Sequence, residues 1–147
     1  MDTAQHERIT VHVLVNVQRD IVWKLWNTPE DIMRWNQASD DWHTPSAQVD
    51  LRPGGKFHYR MEAKDGSTGF DFDGVYQKVQ PWRILTYRLG DGRSVEISFI
   101  PQGTGTRVTE TFEPEQENPL EMQRAGWQAI LNNFKTYAES KSQHSPR

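Results

Sequence analysis

The chain has 147 residues and a formal net charge of −3, so it lacks the basic excess that nucleic acid or an anionic membrane surface requires of a partner. Hydrophobic residues are only 35% of the composition, yet six Trp, six Phe and four Tyr supply enough large apolar surface for the core of one domain. Cysteine is absent, which removes disulfides, thiol nucleophiles and cysteine-ligated metals together.

The first eight residues are polar, without the apolar stretch of a signal peptide, and no later run is long enough to span a bilayer. A soluble cytoplasmic protein of one domain, 1–147, is expected, with its core at about 7–139 and a polar tail at 140–147. Ile9, Val11, Val13, Val15 and Val17 alternate with Thr10, His12, Leu14 and Asn16, the period of a half-buried strand with the valines inward. A short helix over 20–26 places Ile21, Val22, Leu25 and Trp26 on one side. Thr28 as N-cap, Pro29 and Asp31 then start a second short helix carrying Ile32, Met33 and Trp35. It ends in the polar stretch 36–45.

Strands are expected over 48–51, 56–63, up to Val79 from the turn at Asp65 and Gly66, and then over 84–89, 94–100 and 107–112. Gly54 and Gly55, Asp91 and Gly92, and the cluster Gly103, Thr104, Gly105 punctuate them. These connections are too short for parallel crossovers, so the pairing is antiparallel. Within Phe70, Asp71, Phe72 and Asp73 the aromatics face inward and the aspartates outward, and the parity change at Val75 predicts a bulge at Gly74. The last element is a helix over 118–139, with Asn118, Pro119 and Glu121 as its start signals. Its stripe is Leu120, Trp127, Ile130, Leu131, Phe134 and Ala138. The plan is α+β: a curved antiparallel sheet of about seven strands wrapped around a long C-terminal helix, with two short helices after the first strand.

Two polar residues fall on faces that should be apolar. Gln123 lies within the helical stripe, as a ligand-facing amide at a cavity mouth or as one bonded to the sheet or to solvent. Glu110 shares parity with Val108 and Phe112. It is either a carboxylate desolvated in the interior, with a raised pKa, or one that a local bulge turns outward. Asp40, Asp41 and His43 form the one close His–carboxylate cluster, open to a metal or to a hydrogen-bonded loop around Trp42. The Asp71 and Asp73 pair raises acid chemistry or a metal against simple solvation. There is no G-x-S-x-G elbow, P-loop or G-x-G-x-x-G cradle.

The element order, Trp35, the run from Asp40 to Pro45, Gly54 to Phe57, Met61 to Gly66, Phe70 to Gly74, Asp91 to Arg93, Thr109 to Phe112 and Gly126 to Gln128 carry a resemblance. The chain resembles the START-like (SRPBCC) helix-grip superfamily. More closely, it is similar to bacterial proteins grouped with the C-terminal domain of the activator of heat-shock protein 90 ATPase. The resemblance implies a groove between sheet and C-terminal helix that binds a small hydrophobic or amphipathic molecule in a carrier or sensor role, without cofactor or metal. Its expected walls are Phe57, Tyr59, Met61, Phe70, Phe72, Val95, Ile97, Phe99, Trp127, Ile130 and Phe134, with Trp35 and Trp42 at the border and Glu110 and Gln123 as polar contacts. The resemblance also implies an alternative, a chaperone-regulating interaction domain with a chaperone as partner, although the N-terminal domain of the eukaryotic activators has no counterpart here. A second alternative is a cyclase-like or hydrolytic enzyme using an interior acid such as Glu110.

Overall fold

Glycines in the left-handed region reverse the chain where the sheet needs tight hairpins, as at Gly92 (φ 95°) and Gly103 (φ 61°). The computed structural model describes residues 7–143. The order is β1 (Ile9–Val15), α1 (Arg19–Asn27), α2 (Pro29–Trp35), β2 (Trp42–Val49), β3 (Lys56–Ala63), β4 (Gly69–Gln80), β5 (Ile84–Leu89), β6 (Ser94–Gln102), β7 (Gly105–Phe112) and α3 (Leu120–Gln143). The strands form one seven-stranded sheet in the order β1-β7-β6-β5-β4-β3-β2. Every pairing is antiparallel. A meander from β2 to β7 is thus completed by β1, and α3 lies in the curl of the sheet as expected of an α+β helix-grip fold.

Aromatic side chains fill the space between the three helices and the sheet. Phe134 of α3 meets Trp26 and Trp35 edge-on, each at 4.9 Å between ring centroids. Phe99 of β6 meets Trp23 and Trp26 at 5.3 and 5.9 Å. The Trp35 indole donates to the Leu25 carbonyl at 3.1 Å, and the Asn133 amide donates to the Trp35 carbonyl at 2.9 Å. This wedge closes the C-terminal half of α3 against the core. Near its end the Tyr137 hydroxyl donates to Asp31 of α2, with Lys141 3.4 Å from the same carboxylate.

Several expectations are corrected. β2 starts at Trp42, not at 48, taking in part of the stretch read as a polar loop. It is an edge strand, so Pro45 is tolerated there, and the register shifts between His43 and Ser46. The irregularity in β4 falls between Tyr76 and Lys78, not at Gly74. Gly74 is needed for close approach, because a Cβ there would lie 2.6 Å from the Arg88 carbonyl oxygen and 2.9 Å from the Phe57 ring. Val75 accordingly keeps outward parity and is exposed.

α3 begins at Leu120, with the Pro119 carbonyl accepting from the Met122 and Gln123 amides, and it continues past 139 to Gln143. Asn118 bonds Glu115 instead of capping, and Leu120 is exposed because the stripe turns inward only from Gln123 onward. Thr28 makes no side-chain cap to α2; its hydroxyl donates back to the Lys24 carbonyl at 2.6 Å. Ile21 and Met33 are exposed, and Trp23 takes the inward place on α1. The polar first residues, 1–6, and the rest of the expected tail, 144–147, lie outside the described residues.

Phe134 is fully buried in the wedge, whereas Trp127 is only partly buried. Phe134→Ala should therefore cost ~3–5 kcal/mol in denaturant titration and Trp127→Ala about 1.5–3 kcal/mol. Equal losses would contradict the division of α3 into a sealed half and a half that lies over open space.

Candidate ligand-binding cavity

Strand alternation places the side chains of Val108, Glu110 and Phe112 on the inner face of β7, all of them buried. Glu110 pairs with Val11 of β1 on one side and Ile97 of β6 on the other, both buried and apolar. No bulge intervenes, so the inward reading of this residue holds. The Trp127 ring of α3 stacks on Phe112 at 3.8 Å with an interplanar angle of 10°. It stands edge-on to Phe72 at 6.1 Å.

Between these groups lies a cavity of about 200 Å³. Its apolar walls are Trp26 and Trp35 from the wedge, Met61 from β3, Phe70 and Phe72 from β4, and Trp127 and Ile130 from α3. Tyr59, Tyr87 and Glu110 also line it, and each is more than nine-tenths buried. None of the three makes a side-chain hydrogen bond or ion pair to another described residue. Among the described residues, Gln37 Oε1 is the one buried side-chain polar atom that lacks both a partner and accessible surface. The polar ends of Tyr59, Tyr87 and Glu110 therefore keep accessible surface, and the accessible space beside them is the cavity.

Burial pushes the Glu110 carboxyl up from 4.5 to about 8. Among the described residues, no cation or hydrogen-bond donor offsets the desolvation. Burial likewise drives the Tyr59 hydroxyl well above its ordinary value, helped by Tyr76 and by a charge on Glu110. The Tyr87 hydroxyl rises for the same reason, with Glu110 the next contributor. Near neutral pH the apolar chamber thus holds three mainly uncharged oxygen groups.

The rim is polar and internally bonded. Gln123 does not reach the sheet: its Oε1 accepts from the Glu115 amide at 2.9 Å, and its Nε2 donates to the Glu115 and Asn118 carbonyls at 3.1 and 2.8 Å. It fixes the segment before α3 while lining the cavity. Glu115 accepts from the Asn118 side chain and from the amides of Glu117 and Asn118, and these bonds, Asn118 first, hold its carboxyl below the ordinary range. Arg93 donates to Asp91 at 2.8 Å and to the Glu113 carbonyl at 3.2 Å. Phe70, 47% exposed, marks the open side.

Trp35, Tyr59, Met61, Phe70, Phe72, Glu110, Gln123, Trp127 and Ile130 are brought together around this space. Six expected residues are not. Phe57 lies behind it, among Tyr59, Phe72, Tyr76 and Tyr87. Phe99 and Phe134 are consumed by the aromatic wedge. Trp42 sits outside the lining against Phe70 at 5.9 Å. Val95 and Ile97 are core residues that do not reach the cavity. Sequence reasoning missed Trp26, Asn36, Tyr87, Arg93 and Glu115 as lining residues. Tyr87 was accessible to it, since it shares inward parity with Leu85 and Leu89.

Asp71 accepts from His58 at 2.9 Å and from Arg60 at 3.4 Å among exposed groups, so the aspartates of β4 do not face the cavity. Asp41 accepts from the Ser39 hydroxyl at 2.5 Å, and His43 lies 3.9 Å from Glu62, the arrangement of a bonded loop and strand end. Among the described residues, no three His, Asp or Glu side chains converge as a metal site would. No helix among them is long and apolar enough to cross a membrane.

A curled sheet around one long helix, with an apolar chamber beneath the helix, defines a helix-grip domain. Residues 16–139 match the family model of the activator of Hsp90 ATPase homolog 1-like protein, and the chain belongs to that family. The solution structure of an AHSA1-like protein from Aeromonas hydrophila is 42% identical, with a TM-score of 0.88 over 96% of this chain and 99% of that one. A protein from Cytophaga hutchinsonii is 50% identical, with a TM-score of 0.79 over 95% and 97% of the two chains. A protein from Nitrosomonas europaea, 20% identical over 93% and 97% with a TM-score of 0.80, shares the fold. No curated protein matches significantly.

The raised Glu110 value fixes the sign of a stability dependence. The folded state binds this proton more tightly than the unfolded chain, so the contribution is complete below pH 4.5 and is lost as pH rises through about 8. Glu110→Gln, which mimics the protonated form, should remove the part of that loss that falls between pH 6 and pH 9, roughly 2–3 kcal/mol. Denaturant titrations at pH 6 and pH 9 check this: the wild type should weaken relative to the variant. Parallel pH profiles would place the Glu110 charge in water.

Proposed function

We propose that this domain binds a small, mainly apolar molecule in the chamber between the sheet and the N-terminal half of α3. The observation that carries this reading is unfilled volume of about 200 Å³ inside an aromatic-rich interior, lined by both the sheet and the helix. Protein interiors normally close such space, because each missing contact weakens the core. Apolar walls with a few oriented polar groups are the usual make-up of a small-molecule site. A regulator that works through its outer surface needs no such hollow, so the cavity favours ligand binding over the chaperone-directed reading of the family.

The size limits the ligand to something near one aromatic ring with a short substituent, or a short acyl chain, unless the half-exposed Phe70 side lets part of it protrude. The Trp127 and Phe72 rings that line the chamber suit a flat apolar body. Release into water is opposed mainly by area, so recognition by these walls alone selects size and apolarity.

A library of small aromatic and acyl compounds should produce saturable NMR shifts at Met61, Phe72, Trp127 and Ile130, with much smaller shifts at Phe99 and Phe134. Ile130→Phe, which adds volume at a partly buried wall, should weaken the best hit by about tenfold or more while costing at most ~1–3 kcal/mol of stability. Hits that shift only outer-face residues, or that bind the variant unchanged, would remove the chamber from the function.

A further inference from the structure

The proposed ligand-binding reading leaves one feature of the chamber unexplained: a carboxyl group sits in it with no partner among the described residues. Glu110 is 5% exposed and is flanked on the sheet by Val11 and Ile97. The other ionisable groups that face it are Tyr59 of β3 and Tyr87 of β5, both phenols. Tyr76 of β4 lies behind them against the Phe57 ring at 5.3 Å. Over the chamber α3 contributes Trp127, Gln123 and Ile130, none of which titrates. Arg93 and Glu115 are held at the rim by Asp91, the Glu113 carbonyl and Asn118. Among the described residues, none supplies a cation to this carboxylate.

Resting on that reading, we infer that the ligand is an organic cation, an apolar body bearing a protonated amine, whose ammonium group is received by Glu110 and the Tyr59 and Tyr87 hydroxyls among the aromatic walls. An ammonium brings the charge that the chamber lacks, and an ion pair formed out of water is strong when both members are also hydrogen-bonded. The two phenol oxygens accept from the ammonium, or their hydroxyls donate to the carboxylate, so the remaining bonding positions are filled. Those rings among Trp127, Phe72, Tyr59 and Tyr87 that present a face to the ammonium add attraction between cation and ring, which is largest where water is excluded. A neutral ligand of the same shape leaves the carboxyl as it is and gains only the walls.

The consequence is proton linkage. With Glu110 near 8 in the empty chamber, the cation binds the ionised form and expels one proton at lower pH. Its affinity should therefore rise about tenfold per pH unit below that value and level off above it. A primary alkylamine, with a pKa close to the lysine value of about 10.4, keeps its own charge through this window.

The test uses matched neutral and cationic probes on the whole chain: benzylamine, 2-phenylethylamine and hexylamine against benzyl alcohol, 2-phenylethanol and hexanol. Binding is followed by NMR and calorimetry from pH 6 to pH 8.5. At least one amine should bind at pH 8.5 with at least tenfold higher affinity than its alcohol and should weaken at least tenfold at pH 6, the alcohol staying constant. Glu110→Gln should abolish both the preference and the pH dependence, with the alcohol still shifting the chamber resonances. Alcohols that bind as tightly as the amines throughout, or an amine preference that survives Glu110→Gln, would overturn the cation and leave an apolar chamber. If neither series shifts a chamber resonance at millimolar concentration, the cation and the ligand-binding reading fall together.

Discussion

The unpaired edge of β1 determines where α3 lies, and much else follows from that. The first strand bonds β7 on one side, leaving alternate carbonyls free on the other. Side chains of α3 take them in turn: Arg124 donates to Thr10 at 3.0 Å, Gln128 to His12 at 3.0 Å and Lys135 to Leu14 at 2.8 Å. The Asn16 amide completes the row by donating to Glu139 at 2.8 Å. Two residues of strand advance ~6.8 Å and four of helix ~6 Å, so a parallel helix can follow such an edge without losing step over the first pairs. An exposed strand edge is thereby covered, which also protects it from pairing with another chain.

With the helix axis held along that edge, and its C-terminal half pinned by Phe134 between Trp26 and Trp35, the N-terminal half is not free to settle onto the sheet. The chamber is what remains below it. A void in a core usually costs stability because its neighbours relax only partly. Here the neighbours are restrained by bonds that do not involve the void at all. Gln123 adds to this by tying the segment before α3 to the helix itself, so the mouth has a bonded frame on one side and the more exposed Phe70 on the other.

Most of this architecture can be read along the chain, and the reasons for the exceptions are physical. Strand period, glycine turns and the 3.6-residue stripe placed seven strands and three helices in the right order, because each signal is local. The corrected boundaries are places where distant chain decides: Pro45 is acceptable only because β2 is an edge, and Gly74 is a glycine because Phe57 lies over it. The same distinction divides the candidate site. Parity put Glu110 on the inner face but left open a bulge that would turn it out, and parity cannot separate Phe57, Phe99 and Phe134, which fill the core, from Phe72 and Trp127, which stop short of filling it. That depends on how three helices share the concave face. Gln123 was legible as an anomaly but not as a brace, since its partners Glu115 and Asn118 lie in an irregular segment with no periodicity to read.

Anchor and chamber use almost separate sets of side chains. The edge contacts come from Arg124, Gln128, Lys135 and Glu139, and the seal from Phe134; the lining of the chamber from α3 comes from Gln123, Trp127 and Ile130. These positions occupy different faces or different ends of one helix, so lining residues can change without moving its axis. On the sheet, Tyr59, Phe72, Tyr87 and Glu110 sit at inward positions of strands whose register is set by the backbone. Substitution at any of them alters the polarity of the chamber while the ladder around it persists. A buried carboxyl is the expensive choice at such a position, since a Gln or Leu of similar size would fit without the cost of desolvating a charge. Its presence on a strand that is otherwise apolar inward is therefore something that the proposed ligand would account for and the fold does not.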